Sequence, residues 1–71
     1  MSSKNPISKI RKNIKRIRQA KGISQDRLSK RADLALNTIV NIESGENPNP
    51  TIETLRKIAD ALEVSIEELL K

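Results

Sequence analysis

This chain of 71 residues contains no cysteine, no histidine and no aromatic residue. Without cysteine it can form neither a disulfide nor a thiolate metal site, and without histidine it lacks the commonest metal ligand and general base. There is also no glycine-rich phosphate loop and no pair of carboxylates in an expected pocket. We therefore expect no enzyme activity, no metal, no cofactor and no small-molecule ligand. The core has to be aliphatic, built mainly from isoleucine and leucine.

Strand patterns and long apolar runs are missing as well. No segment alternates apolar and polar residues between turn signals, and none approaches the roughly 20 apolar residues of a membrane span. The first residues, MSSKNPISKIRK, lack the apolar stretch of a secretory signal. The length suits one small domain. The sequence thus predicts a single all-α domain in the cytoplasm, with no membrane partner.

Charge is distributed unevenly along the chain. Residues 1–31 contain eleven Lys or Arg and one acid, whereas residues 32–71 contain three basic residues and eight acids. The two parts carry +10 and −5, which gives the net charge of +5. This is either an ordinary solvated helix face or an electrostatic footprint for a polyanion. The pattern of the helices favours the polyanion.

Apolar spacing and capping residues predict five helices. Their expected ranges are 7–21, 25–32, 36–44, 52–62 and the segment from Ile66 onwards. The expected N-caps are Ser24, Thr51 and Ser65, and the expected stops of the first and third helices are Gly22 and Gly45. In the fourth helix, the stripe expected to be buried is Ile52, Leu55, Ile58, Ala59 and Leu62.

The most informative segment is SQDRLSKRADLALNTIVNIESG, residues 24–45, which predicts two short helices joined by a tight turn. Asp33 occupies the turn, because aspartate tolerates the left-handed backbone better than most residues. In the second helix of the segment, Ile39 and Ile42 face one way. The opposite face carries Asn37, Val40, Asn41 and Ser44. An apolar inner face with amides outside suits a helix that lies in a DNA groove.

Arg18 in the first helix and Glu43 in the third lie at the edges of the inner faces of their helices. A charge that is half turned inward needs a partner. We therefore expect the two side chains to meet, and two unrelated surface charges are the alternative.

Three segments in order, IRQAKGISQDRLS, NTIVNIESG and NPTIETLRKIADALEVSIEELL, resemble the Cro/cI-like (Xre-like) helix-turn-helix family of phage repressors and bacterial regulators. The resemblance covers roughly residues 7–70, which is nearly all of the chain. It implies a compact five-helix bundle of the lambda repressor-like type over residues 7–71, after a flexible arm at residues 1–6. It also implies a sequence-specific, double-stranded DNA-binding transcriptional regulator, expected to be a repressor, with helix 36–44 in the major groove.

The resemblance assigns roles to individual positions. Gln25 matches a residue that touches a backbone phosphate and braces the recognition helix. The full set of expected phosphate contacts is Ser24, Gln25, Ser44 and Asn47. The expected base contacts are Leu36, Asn37, Thr38, Val40 and Asn41. Arg18 and Glu43 match a pair that often forms an internal salt bridge in relatives.

Three positions depart from the family pattern. Relatives often have Gly at the position of Asp33, and Ser or Thr at the position of Ala35. Since alanine is a poor N-cap, the third helix should be less stable by about 1 kcal/mol than with a serine cap. Leu36 stands where many relatives carry a basic side chain, so guanine readout from this helix is not expected.

The remaining side chains on the outer face of the third helix predict which base pairs it recognises. An asparagine amide can pair with N6 and N7 of adenine, and Leu36 and Val40 can contact thymine methyl groups. We therefore predict half-sites that contain A·T pairs. Because one such module contacts few base pairs, we expect a homodimer on DNA, with Leu69 and Leu70 as candidates for the dimer surface.

A protein-interaction module of the same fold, such as an antitoxin or an adaptor, is the alternative function. Leu36 and Val40 on the outer face would suit a protein contact as well as thymine methyl groups. A membrane-surface role for the basic first helix is less favoured, because its apolar face is needed for the core and it lacks an interfacial Trp or Phe.

Overall fold

Five α-helices make up the chain in the computed structural model, which describes residues 6–47 and 49–71, apart from the side chains of residues 6–8. They are α1 (Pro6–Ala20), α2 (Gln25–Ala32), α3 (Leu36–Ser44), α4 (Ile52–Leu62) and α5 (Ile66–Leu70). The predicted all-α fold is confirmed, and α2, α3 and α4 have the predicted bounds. α1 begins at Pro6, one residue early, and proline suits the first helical turn, where its missing N–H is not needed. The rest of the predicted arm lies outside the described residues.

The helices are short. α1 has 15 residues and α5 has five. Across the described part of the chain, no helix is both long and apolar enough to cross a membrane. Helices of this length are marginal in isolation and are stabilised mainly by packing on one another.

The core is aliphatic and draws on all five helices. α1 contacts α3, α4 and α5, while α2 packs on α3 and α4. Burying one aliphatic side chain of this size contributes about 1.5–3 kcal/mol. The largest completely buried side chains are Ile14, Leu28, Ile39, Ile42, Ile58, Leu62 and Leu69. Because two of them belong to α3, this helix is fixed to the scaffold along its inner side.

The prediction that Ile52 is buried is wrong. Its side chain is 60% exposed, although its position on the helical wheel groups it with the buried stripe. Thr51 and Glu53 beside it are exposed as well. The first turn of α4 therefore projects from the core, and burial begins one turn later, at Leu55.

The two leucines proposed for a dimer surface lie in different environments. Leu69 is completely buried, so its candidacy is wrong, whereas Leu70 is 46% exposed. Adjacent residues of a helix are about 100° apart, so one of them turns inward and the other outward. Of these two leucines, only Leu70 is available to a partner.

The three predicted N-caps are confirmed. Ser24 Oγ accepts a hydrogen bond from Arg27 N at 3.0 Å, Thr51 Oγ1 from Thr54 N at 3.1 Å, and Ser65 Oγ from Glu68 N at 3.3 Å. Each bond satisfies one of the backbone N–H groups that have no partner within a helix. Ala35, which precedes α3, forms no side-chain cap, because alanine has no polar side-chain atom.

The turn between α2 and α3 depends on one residue in the left-handed region. Asp33 has φ 58° and ψ 45°, as predicted for this position. Leu34 N donates to Ser29 O at 2.9 Å, which closes the turn. The Leu34 side chain is half-buried and packs against the core. The angle between α2 and α3 is thus fixed by both the backbone and an apolar contact.

Candidate nucleic-acid interface

The outward face of α3 is polar and accessible. Ile39, Ile42 and Glu43 are buried on the inner side of the helix. On the wheel, Asn37, Asn41 and Ser44 lie opposite that side, with Val40 and Leu36 next to them. Among the five predicted base-contacting residues, Leu36 and Asn37 are exposed, and Thr38, Val40 and Asn41 are half-buried. None of the five belongs to the core, so all can be approached from outside.

Apolar surface is also present on this face. Leu36, the first residue of α3, is 42% exposed. It lies one turn before Val40, so the two side chains are neighbours on the helix surface. The outward face of α3 therefore combines amide groups with a short aliphatic strip.

Buried Glu43 is the one charged residue of α3, and it is paired with Arg18. Arg18 Nε donates to Glu43 Oε2 at 2.7 Å, and Arg18 Nη2 donates to Glu43 Oε1 at 3.0 Å. Arg18 Nη1 donates to the carbonyl oxygen of Ile23 at 2.7 Å. Both side chains are buried, so the contact predicted from the sequence is present. A two-point arginine–carboxylate pair is directional, and it joins α1 to α3 in one orientation.

The start of α2 joins the same cluster. Gln25 Nε2 donates to Glu43 Oε1 at 3.0 Å, and the Gln25 side chain is half-buried. Ser24 before it is exposed, and its hydroxyl oxygen is the N-cap acceptor. Its O–H remains a donor for an outside group. The predicted phosphate contacts at this helix start are therefore reachable from solvent.

The other two predicted phosphate contacts shape the loop after α3. Ser44 Oγ donates to Asn41 O at 3.2 Å and accepts from Glu46 N at 3.3 Å. Asn47 N donates to Asn41 O at 3.0 Å, and Asn47 Oδ1 accepts from Asn49 N at 3.3 Å. Asn47 keeps its side-chain NH2 group as a donor for a phosphate. Ser44 has to rotate its hydroxyl before it can donate to one.

The cations lie outside α3, whose sequence contains no Lys or Arg. The exposed cations of α1 and α2 are Lys9, Lys12, Lys15, Arg16, Arg27, Lys30 and Arg31. Since the Arg18–Glu43 pair cancels its own charge, the positive potential of this part of the molecule comes from those side chains.

Arg11 lies across the end of α3, which the sequence did not indicate. Gly45 ends α3 in the left-handed region with φ 90°, and a Cβ added to it would stand 3.4 Å from Arg11 Nε. A cation at this place opposes the partial negative charge of the helix C-terminus. No local pattern connects two residues so far apart in sequence, so only the packing of α1 against α3 reveals the contact.

These elements define a class of protein. Two short helices joined by a tight turn, with a polar outer face on the second helix, form a helix-turn-helix within a five-helix bundle. The helix-turn-helix family model matches residues 14–69, and the chain belongs to that family. The family predicted from the sequence is therefore confirmed.

Two curated relatives are transcriptional regulators by name. The HTH-type transcriptional regulator SinR of Bacillus subtilis (strain 168) is 36% identical over 61 residues, which cover 86% of this chain and 55% of SinR. The cryptic phage CTXphi transcriptional repressor RstR of Vibrio cholerae is 41% identical over 61 residues, which cover 86% of this chain and 54% of RstR. The chain thus spans about half the length of these relatives. No solved structure matches the chain significantly.

Proposed function

We propose that this chain binds double-stranded DNA in a sequence-specific manner, as a transcriptional regulator that acts as a repressor. Membership of the helix-turn-helix family and the similarity to the regulator SinR and the repressor RstR support this role. The cytoplasmic location that we propose follows from it, because a regulator has to reach its DNA. Catalysis has no part in the proposal.

The observation that carries the proposal is the outward face of α3. Asn37 and Asn41 lie on one side of the helix, opposite its buried residues. A side-chain amide can donate to N7 and accept from N6 of adenine in the major groove, which no other base pair satisfies in the same way. We infer that these two residues read adenines, and that Thr38 adds a hydroxyl at the edge of the same surface.

The aliphatic strip adds a second kind of readout. Leu36 is exposed and Val40 is half-buried, so both side chains can contact the methyl group of thymine. Together with the amides, they favour A·T pairs over G·C pairs. We therefore propose half-sites with A·T pairs at the centre of the α3 footprint.

The cations outside α3 supply affinity that does not depend on sequence. Each Lys or Arg that neutralises a phosphate releases counterions, so affinity falls as salt rises. We infer that the exposed cations of α1 and α2 do this, and that Ser24, Gln25, Ser44 and Asn47 add neutral phosphate contacts. In this proposal the cations of α1 and α2 bind the DNA backbone, whereas the outward face of α3 recognises the base pairs.

We also propose that the protein binds DNA as a homodimer, because one α3 helix spans few base pairs. Two-fold symmetry would place two recognition helices about 34 Å apart, one turn of the duplex. Exposed Leu70 is available for such a contact. Light scattering at micromolar protein, with and without duplex DNA, tests this part, and a strict monomer in both states would exclude it.

Selection of bound sequences from a random DNA pool tests the central claim. We expect a palindromic motif with A·T pairs. On that motif, Asn41→Ala should weaken binding by about 1–3 kcal/mol and should leave binding to random DNA nearly unchanged. Lys15→Ala is the contrasting variant, because Lys15 is an exposed cation of α1 and loss of a phosphate contact from such a cation would weaken both complexes alike. Equal losses for Asn41→Ala on both DNAs would exclude base readout by this residue.

A protein-interaction module is the second candidate, and exposed Leu36 is the observation that favours it. An aliphatic side chain on an accessible helix suits a protein partner as well as a thymine methyl group. Gel shifts with random DNA at two salt concentrations separate the two candidates. Binding that weakens steeply with salt supports the DNA-binding role, whereas no shift at either concentration supports the protein partner.

A further inference from the structure

The side-chain amide of Gln25 is hydrogen-bonded to a buried residue, Glu43. Its Nε2 atom lies 3.0 Å from Glu43 Oε1, across the contact between α2 and α3. Glu43 is itself held by two hydrogen bonds from Arg18, at 2.7 and 3.0 Å. The partner of Gln25 is therefore one of the most constrained side chains of the molecule. The first residue of α3, Leu36, carries no polar side-chain atom that could hold Gln25 instead.

We propose that Glu43 is a positioning residue for DNA binding: its carboxylate takes one N–H of the Gln25 amide and thereby directs the second N–H toward a backbone phosphate. This inference rests on the proposed function, because the phosphate contact of Gln25 belongs to it. Nε2 has two hydrogens, and the bond to Glu43 uses one. Because Nε2 is bonded to Glu43 and the side chain is half-buried, the second N–H of the amide has few possible orientations.

The arrangement also solves an electrostatic problem. A free carboxylate near the duplex would repel phosphate. Here both oxygens of Glu43 accept from Arg18, and the pair has no net charge. Gln25 is bonded to this neutral pair and is only half-buried, so the group it offers to solvent is a neutral donor. The interior of the protein can thus orient a phosphate contact without presenting a negative charge to the DNA.

Orientation before binding has a measurable consequence. A glutamine side chain that becomes fixed only in the complex loses rotamer entropy on binding. A side chain already held by Glu43 loses less. For one such residue the gain in affinity is on the order of tenfold or less.

A charge-neutral set of variants tests the proposal. Gln25→Ala removes the contact itself and should weaken binding to selected and random DNA alike, by about tenfold. The double variant Arg18→Met and Glu43→Met removes the positioning carboxylate and keeps the net charge, and apolar replacement of a buried pair is often tolerated. We expect this double variant to bind about three- to tenfold more weakly on both DNAs, with the salt dependence unchanged. Adding Gln25→Ala to the double variant should then weaken binding by only about one- to threefold more, instead of about tenfold.

The matched control is Gln19→Ala, since Gln19 is the other glutamine of the chain and is exposed on α1. Gln19→Ala should leave DNA binding unchanged, both in the wild-type chain and in the double variant. If Gln25→Ala still costs its full tenfold in the double variant, or if the double variant binds as tightly as the wild type, Glu43 has no positioning role. If Gln25→Ala alone leaves binding unchanged, the phosphate contact of the proposed function is wrong, and the inference falls with it.

A measurement on the wild-type chain avoids any dependence on how the variants fold. Side-chain ¹⁵N relaxation should show the Gln25 amide nearly as rigid in the free protein as in the complex with DNA. The exposed Gln19 amide, measured in the same sample, should be mobile in both states. A Gln25 amide as mobile as that of Gln19 in the free protein would overturn the proposal.

Discussion

Two turns of this molecule have nearly the same backbone geometry, although only one belongs to the proposed DNA interface. Asp33, between α2 and α3, has φ 58° and ψ 45°, and Glu63, between α4 and α5, has φ 60° and ψ 40°. The next residue, Leu34 or Val64, donates its N–H to a helical carbonyl at 2.9 or 3.0 Å. Both of these side chains pack against the core. The same turn conformation thus joins α2 to α3 and α4 to α5.

The two helix pairs, α2–α3 and α4–α5, differ in how their second helix begins. Ser65 caps α5 through its hydroxyl, whereas Ala35 precedes α3 and forms no side-chain cap. The first N–H groups of α3 are therefore less well satisfied than those of α5. The comparison teaches that the proposed reading helix, unlike α5, begins without a stabilising side-chain cap.

The helix pairs also differ in how they are attached to α1. α3 is joined to it by the buried Arg18–Glu43 pair. α5 is joined by the buried Leu69 side chain and by a 2.9 Å hydrogen bond from Asn13 Nδ2 to Leu69 O. A charged pair fixes an orientation more narrowly than an aliphatic contact does. The attachment of α3 is thus directional, as suits a helix whose outer face is proposed to meet base edges.

Arg18→Met should have the largest effect on the α3 attachment. It leaves the Glu43 carboxylate buried without its cation, and the free energy of unfolding should fall by about 3–5 kcal/mol. This is comparable with the whole stability of a domain of this size. Thermal unfolding followed by circular dichroism measures the loss. The double variant Arg18→Met and Glu43→Met should recover most of it, and a single variant as stable as the wild type would mean that the pair does not hold α3.

Leu69→Ala should have the next largest effect, through the apolar attachment of α5. A completely buried leucine replaced by alanine leaves a cavity and should lower the free energy of unfolding by about 2–5 kcal/mol. Its neighbour Leu70 is exposed, so Leu70→Ala should change stability by less than about 0.5 kcal/mol. Urea titration of both variants makes the comparison. Similar losses for the two would contradict the inward and outward assignment of the leucines.

The sequence predicted the features that depend on local patterns. Apolar spacing with Ser24, Thr51 and Ser65 located the helices, because caps and stripes act over a few residues. The Arg18–Glu43 contact was also predictable, since each charge lies at the edge of an inner face and needs a partner. Asp33 in the left-handed region followed from its place between two helices.

Other features depend on packing, which local patterns do not encode. Ile52 fits the buried stripe on the wheel, but no neighbouring helix covers its turn. Arg11 reaches the end of α3, and Gln25 reaches Glu43, only because α1, α2 and α3 meet at particular angles. The left-handed Glu63 was missed because glutamate has no special tolerance for that conformation. The side-chain partners of the site, more than its position, required the structure.

Exchanging the caps should reverse the difference between the two helix starts. Ser65→Ala removes the bond to Glu68 N and should lower stability by about 1 kcal/mol, while Ala35→Ser should raise it by a similar amount. Ala20→Ser is the control for Ala35→Ser, because this exposed alanine is the last residue of α1, where a serine has no free helix N-terminus to cap. Guanidinium unfolding curves of the three variants give the values. If Ala35→Ser is no more stable than Ala20→Ser, the start of α3 is satisfied by other groups.

The smallest effect concerns the left-handed residues themselves. A left-handed residue with a Cβ is strained by about 1–2 kcal/mol, while glycine loses about 0.5–1 kcal/mol of chain entropy on folding. Glu63→Gly should therefore stabilise the protein by about 0.5–1 kcal/mol. Asp33→Gly should gain less, because aspartate already tolerates this conformation. Differential scanning calorimetry of both variants separates the cases. An equal gain at both positions would mean that Asp33 is as strained as Glu63, and that its tolerance of the turn is not what shapes the α2–α3 corner.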